Sequence, residues 1–247
     1  MAQPRHLRVG SVGRDVRAVQ RALRKAGFRP KTDATTEIFD ERLKGQVKEF
    51  QRARGVTPAD GDVAKDTYAA LKPFIDRFGR LLIRLAARAA AAANTTRKKI
   101  VAAGRLGFDH RDEIHYTQES DRMEGVRRKL KPPDFPRHED CSSFVTWCYF
   151  AADAPDPNGR DYNGQGFTGD QSPRGTEVSK PRLGDLVFYG PSRSEINHVN
   201  LYVGGGKIIG HGGESGPNVF EIDYDRGIDP HTGRPRGARQ FTKSYLP

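Results

Sequence analysis

Cysteine is scarce, with two in 247 residues. That excludes a disulfide-dense secreted scaffold. No run of about 18 apolar residues occurs, so no segment is expected to span a membrane. The opening MAQPRHLRVGSVG has no apolar core of signal-peptide length, so synthesis without a Sec signal is expected. The 27 glycines and 16 prolines have no strict period, which excludes collagen. Apolar residues make up 35% and charged residues 30%. The chain is thus polar for a globular protein, yet too apolar to be disordered throughout. Positive charge, by contrast, is abundant: 42 Lys+Arg against 31 Asp+Glu give a formal net charge of +11. This points to an acidic partner such as nucleic acid, an anionic membrane or an anionic wall polymer.

The charge divides the chain. Residues 1–79 hold 17 basic and 10 acidic residues, residues 80–108 hold 7 basic and none acidic, and residues 109–247 hold 18 basic and 21 acidic. Three parts are expected: a small three-helix domain over 1–79, a basic helical linker over 80–108, and a further domain over 109–247. The linker is rich in Ala, Leu and Arg and lacks proline, which predicts helix. Asn94-Thr95-Thr96 offers a break and a new N-cap. A solvated basic spacer is the plain reading of this stretch. A membrane-surface helix is the alternative, because Leu81, Leu82 and Leu85 lie beside Arg80, Arg84 and Arg88.

Val16, Val19 and Leu23 recur at helical spacing, and Gly27 ends the pattern. Ser11 or Asp15 is expected to cap this helix. Val47 and Phe50 form a second stripe that stops at Gly55. Val63, Tyr68 and Leu71 form a third after the turn Asp60-Gly61. Such a bundle, with His6 as its one histidine and no cysteine, suits binding better than catalysis. The pattern Gly10-x-x-Gly13-x-Asp15-Val16-x-x-Val19-Gln20-x-x-Leu23, Gly27-Phe28, Val47-x-x-Phe50-Gln51 and Asp60-Gly61-x-Val63 resembles the three-helix peptidoglycan-binding module over 5–74. It departs from that family at 30–45. The resemblance implies a stem peptide or glycan of bacterial peptidoglycan as ligand. Gln20 and Gln51 are the candidate groove residues; a structural role is the competing reading.

The third part holds both cysteines. Pro132, Pro133 and Pro136 forbid an early helix, and from Asp140 the pattern turns helical. Asp140 is expected as N-cap, which puts Cys141 in the first turn. There the positive end of the helix dipole would lower the thiol pKa. Cys148 lies two turns on, roughly 10 Å along the axis, too far for a disulfide; a buried apolar role is expected for it. Downstream, His198-Val199-Asn200-Leu201-Tyr202-Val203 alternates at period two and precedes Gly204-Gly205-Gly206. If Gly204-Gly205 is the hairpin turn, His198 lies opposite His211. A register slip by one would separate them. A thiol at a helix start, a strand histidine and a polar orienter form a nucleophile–base–orienter set. Cys141 would attack a carbonyl, His198 would take the thiol proton, and His211 would orient His198. The backbone N–H of Cys141 is a natural oxyanion donor. Asp185 is expected to be structural.

Asp140-Cys141-Ser142-Ser143-Phe144-Val145, Gly184-Asp185-Leu186-Val187-Phe188, His198-Val199-x-x-Tyr202-Val203-Gly204 and Ile208-x-x-His211 resemble the NlpC family of cell-wall cysteine peptidases across 139–213. The resemblance implies a papain-like α+β fold with an antiparallel sheet. It also implies hydrolysis of a peptidoglycan stem-peptide amide, typically between D-γ-glutamate and the diamino acid. The family's tyrosine shortly before the cysteine has only Tyr116 as a counterpart, a candidate second oxyanion donor. Ser142, next to the nucleophile, joins it as a candidate. An inserted loop, 155–173, offers Tyr162, Asn163 and Gln165 as candidate substrate contacts; an ordered surface loop is the other reading.

No Cys-x-x-Cys or His-Glu-x-x-His spacing occurs, so no metal and no cofactor is expected. Nucleic acid is not expected as partner, since no aromatic interleaving accompanies the basic segment. A monomeric, phage endolysin-like wall hydrolase, made in the host cytoplasm and acting at the wall, is the leading expectation. A CHAP-class amidase cutting between muramic acid and L-alanine is the alternative among enzymes. A non-catalytic wall-binding protein is the alternative of another class.

Overall fold

The computed structural model describes residues 4–28, 37–212 and 216–247. Of the segment 30–45, where the N-terminal resemblance departs, residues 30–36 lie outside the described residues. The chain separates into two compact units, Met1–Ala92 and Ala93–Pro247.

In the first unit, α1 (Arg14–Lys25), α2 (Glu41–Ala53) and α3 (Lys65–Leu71) surround one core. Val16, Val19 and Leu23 of α1 are fully buried with Leu43, Val47 and Phe50 of α2 and Leu71 of α3. Gly27, at φ 91°, closes α1. Its N–H bonds Arg24 O (3.1 Å) and the Phe28 N–H bonds Leu23 O (2.9 Å), which satisfies two terminal carbonyls. Neither expected cap forms: Gly13 is the N-cap of α1. Asp15 instead accepts from Arg5 Nε (3.0 Å) and Nη2 (2.9 Å), and Ser11 Oγ accepts from the Arg8 N–H.

Gln20 and Gln51 are corrected by burial, since each is 1% exposed. The Gln51 amide donates to Asp60 Oδ1, Asp62 O and Thr67 Oγ1 and accepts from the Gly61 N–H. It braces the 60–62 turn and has nothing left for a groove. Gln20 lies on the buried side of α1.

Helix α4 (Arg77–Asp109) is unbroken for 33 residues, and the expected break at Asn94-Thr95-Thr96 does not form. An Ala-rich helix without proline tolerates three weak helix formers in its interior. Ile83 belongs to the first core, and Leu81 and Leu85 are exposed while Leu82 is buried. Ile100, Val101 and Ala103 belong to the second core. The division of the units thus falls inside the helix, whereas the sequence suggested a separate spacer over 80–108. No helix among the described residues is long and apolar enough to cross a membrane.

The second unit is α+β. Its elements are β1 (His115–Tyr116), α5 (Glu124–Arg127), β2 (His138–Glu139), α6 (Cys141–Ala151), α7 (Thr168–Gln171), β3 (Thr176–Glu177), β4 (Leu186–Gly190), β5 (His198–Gly204), β6 (Lys207–Gly210), β7 (Asn218–Glu221) and β8 (Ala238–Ser244). Strands β1 and β2 pair in parallel. The other six form an antiparallel sheet in the order β3-β8-β4-β5-β6-β7. Phe144, Val145 and Cys148 of α6 pack with Leu186, Phe188, Val199 and Leu201 of the sheet. Gly104 and Gly107 let α4 approach this layer. A Cβ at Gly104 would lie 2.7 Å from Leu201 Cδ2, and one at Gly107 would lie 2.9 Å from Phe144 Cε2. Arg97 pins the helix to the sheet, with Nη1 2.6 Å from Asp185 Oδ1 and Nη2 on Ser244 Oγ and Leu246 O. Asp185 is therefore structural, as expected.

Candidate active site

Cys141 is the first residue of α6. Asp140 caps the helix: its carboxylate accepts from the Ser143 N–H (2.7 Å) while Ser143 Oγ accepts from the Asp140 N–H (2.7 Å). This reciprocal box fixes the turn that carries the sulfur. Arg122 secures it further, donating to Asp140 Oδ2 (3.2 Å) and Ser142 Oγ (3.1 Å). Ser142 Oγ donates in turn to Asp140 Oδ1. Ser142 is 2% exposed and held inside the cap, where its side chain braces the turn.

His198 is the first residue of β5 and pairs across the ladder with Tyr189. The backbone of the next residue, Val199, favours the charged form of the Cys141 sulfur. Cys141 and His198 line one pocket of about 640 Å³ with Tyr116, Asn197, Arg226 and Arg236. Thr168 Oγ1 lies 3.8 Å from the sulfur. Tyr116 OH accepts from Gln118 Nε2 (2.9 Å), which leaves its proton to donate.

The hairpin differs from expectation. Gly204 pairs with Lys207, so Gly205 and Gly206 form the turn, with φ 62° and 76°. A bulge then shifts the ladder between Tyr202 and Gly204, giving Tyr202↔Ile208 and Leu201↔Ile209. Strand β6 ends at Gly210, and in this register His211 follows opposite Val199. The direct His198–His211 opposition is not formed. His211 is nonetheless near: its charge bears on His198, its ring meets Tyr116 edge-on at 5.3 Å, and its Nδ1 is 3.6 Å from Glu139 Oε1.

The electrostatics reverse one expectation. Burial, then the charge of Asp140, pushes the Cys141 thiol up to about 11; the Val199 N–H, Thr168 and Arg226 act the other way. At the enclosed first turn, desolvation outweighs the helix dipole. Burial, then Arg226, pushes His198 well below its usual 6.5, while the side chain of Asn200 favours the charged ring and opposes this. The resting pair is thus a neutral thiol beside a neutral imidazole. Burial pushes Glu139 up to about 7, although His211 favours its charged form.

The loop candidates do not reach the pocket. Tyr162 OH donates to Ala154 O (2.8 Å), and its ring packs on Phe150. Asn163 Oδ1 accepts from the Gln165 N–H, closing a local turn. The inserted loop supplies Thr168 instead. Sequence reasoning missed Arg122, Glu139, Asn200 and Arg226. Glu139 had one available signal, an acidic residue beside the motif cysteine in a segment otherwise packed inside.

A helical unit is thus followed by an α+β unit with a thiol and an imidazole on one pocket. Residues 12–71 match the peptidoglycan binding domain family PG_binding_1, and residues 125–225 match the NlpC/P60 family. The chain thus carries a peptidoglycan-binding domain and then an NlpC/P60 domain. That family comprises cysteine peptidases acting on peptidoglycan, with some non-catalytic members. Among solved structures the chain is similar to the NlpC/p60 domain of the peptidoglycan hydrolase SagA, at 23% identity and TM-score 0.38, covering 60% of this chain and 97% of that one. It is also similar to NlpC2 from Trichomonas vaginalis, at 14% identity and TM-score 0.37, covering 60% and 47% of the two chains. RipD from Mycobacterium tuberculosis, described as a non-catalytic NlpC/p60 domain protein, matches at 23% identity and TM-score 0.29, covering 43% and 67%. No curated protein matches the chain.

Proposed function

We propose that the second unit hydrolyses a stem-peptide amide of peptidoglycan, between D-γ-glutamate and the diamino acid, and that the first unit holds the wall. The observation that carries this reading is the shared pocket of Cys141 and His198. The neutral pair suits general-base chemistry. His198 accepts the Cys141 proton as the sulfur attacks the carbonyl, then returns it to the leaving amine. The Cys141 N–H and the Tyr116 hydroxyl are the donors offered to the oxyanion. Water then releases the acyl group from the sulfur. His211 is a positioning residue behind His198, backed by Glu139. The pairing of wall-holding and wall-cutting units is what supports an endolysin role.

Burial of Cys141 favours a second reading, a wall-binding domain without turnover, because a 7% exposed thiol at pKa about 11 is a poor nucleophile at rest. A synthetic peptide containing the D-γ-glutamyl–diamino acid amide separates the two. The peptidase reading requires cleavage by the wild type and none by Cys141→Ala. Binding without cleavage by either supports the second.

A further inference from the structure

Arg226 follows β7 and enters the pocket wall beside Cys141 and His198. One of its donors is used: Nη1 bonds the neutral Asn197 amide at Oδ1 (2.7 Å). No carboxylate pairs with it among the described residues. The acidic residue of the same wall, Asp229, is occupied elsewhere. It accepts from the His231 N–H (2.9 Å) and the Thr232 N–H (3.0 Å) and faces Arg236 Nε at 3.4 Å. Asp140 is likewise held by Arg122. A guanidinium fork, half-buried and uncompensated, therefore points its charge into the cleft that holds the thiol.

We propose that Arg226 is a carboxylate-binding subsite, receiving a free carboxylate that flanks the scissile amide. The proposal rests on the peptidase reading above. A planar fork with open N–H donors matches a carboxylate bidentately. Both residues joined by the proposed scissile amide can carry one: γ-linked glutamate keeps its α-carboxylate free, and a diamino acid that ends the stem or has a second carboxyl group keeps one of its own. The subsite also has a consequence for the chemistry. With the cleft empty, Arg226 opposes protonation of His198. A carboxylate seated on Arg226 cancels that field just when His198 must accept the Cys141 proton. The carboxylate thus improves turnover as well as binding, and amidation of that carboxylate removes both gains.

The test compares three synthetic stem peptides: the free form, one with the glutamyl α-carboxylate amidated, and one with the diamino acid carboxylate amidated. The wild type is expected to lose about tenfold or more in kcat/KM on one amidation, with kcat falling as well as KM rising. Which amidation does so identifies the source of the carboxylate. In Arg226→Gln the ratio between free and amidated peptide should fall to about one, and Arg226→Lys should restore part of it. Equal cleavage of all three peptides by the wild type, or a preference that survives in Arg226→Gln, overturns the subsite. A binding arm separates this from failure of the peptidase reading. Calorimetry on the Cys141→Ala protein should give the free peptide about tenfold tighter binding than the amidated one, and Cys141→Ala/Arg226→Gln should not. If the wild type cleaves nothing but this binding difference holds, peptidase action fails and the subsite stands. If the binding difference is absent, the subsite fails whatever is cleaved.

Discussion

Glu139 Oε1 lies 3.6 Å from His211 Nδ1, and both side chains are fully enclosed. Burial raises Glu139 from 4.5 to about 7. The native state therefore keeps a proton that the unfolded chain releases. This contribution to stability is present below about 4.5 and is lost as pH rises through about 7, with a magnitude of about 3 kcal/mol. Urea unfolding at pH 5 and pH 8 should show a smaller fall in Glu139→Gln than in the wild type. An identical fall in both contradicts the burial argument.

Alkylation reads the thiol. Cys141 should react slowly with iodoacetamide at pH 7, and its rate should climb toward a midpoint of about 11. Mass mapping keeps it distinct from Cys148, which burial also raises well above its usual value. A midpoint below 7 would mean a preformed thiolate–imidazolium pair.

His198 sets the acid limb. Its folded pKa lies well below 6.5, so the imidazole stays neutral and able to accept a proton where an ordinary histidine is charged. Activity, as kcat/KM, should persist below pH 6.5 on its acid side. The same shift has a stability consequence. The unfolded chain binds this proton below 6.5 and the native state does not, so the His198 contribution is present above 6.5 and lost as pH falls. A limb centred at 6.5 or above would show an exposed imidazole.

Arg97 and Asp185 form a pair with side-chain exposures of 5% and 0%. Asp185→Ala leaves the guanidinium buried against the Leu183 and Leu246 carbonyls and the Ser244 hydroxyl. The expected loss is about 3–5 kcal/mol, measured by chemical denaturation. A loss under 1 kcal/mol would mean water enters the site.

Wall binding should respond to salt. Residues 1–108 hold 24 basic and 10 acidic residues. Sedimentation of the full-length Cys141→Ala protein with purified walls should weaken severalfold between low and high salt. Salt-insensitive binding would place recognition in a groove and not in the charge.

The parts legible in the sequence were local. The stripe Val16, Val19, Leu23 and its glycine stop describe α1 as it stands. Asp140 as N-cap of the Cys141 helix was readable because capping is settled within four residues. The hairpin was readable in existence but not in register, since a bulge depends on how the sheet packs. Helix α4 looked like a spacer because its apolar contacts, Ile100 with the sheet among them, come from sequence far away. Gln20 and Gln51 had polarity that suggested a surface, yet Gln51 is consumed by a turn that only the fold brings to it. Arg226 sits in an irregular segment without periodicity, and only folding places it beside Cys141. The thiol's electrostatics were misjudged for the same reason: the helix start is visible in sequence, and its burial is not.

Purified peptidoglycan, digested with the wild-type protein and analysed by mass spectrometry, tests the central claim most directly. New free amines on the diamino acid, absent with Cys141→Ala, are the predicted result. Release of whole stem peptides, or the same fragments from Cys141→Ala, would contradict it.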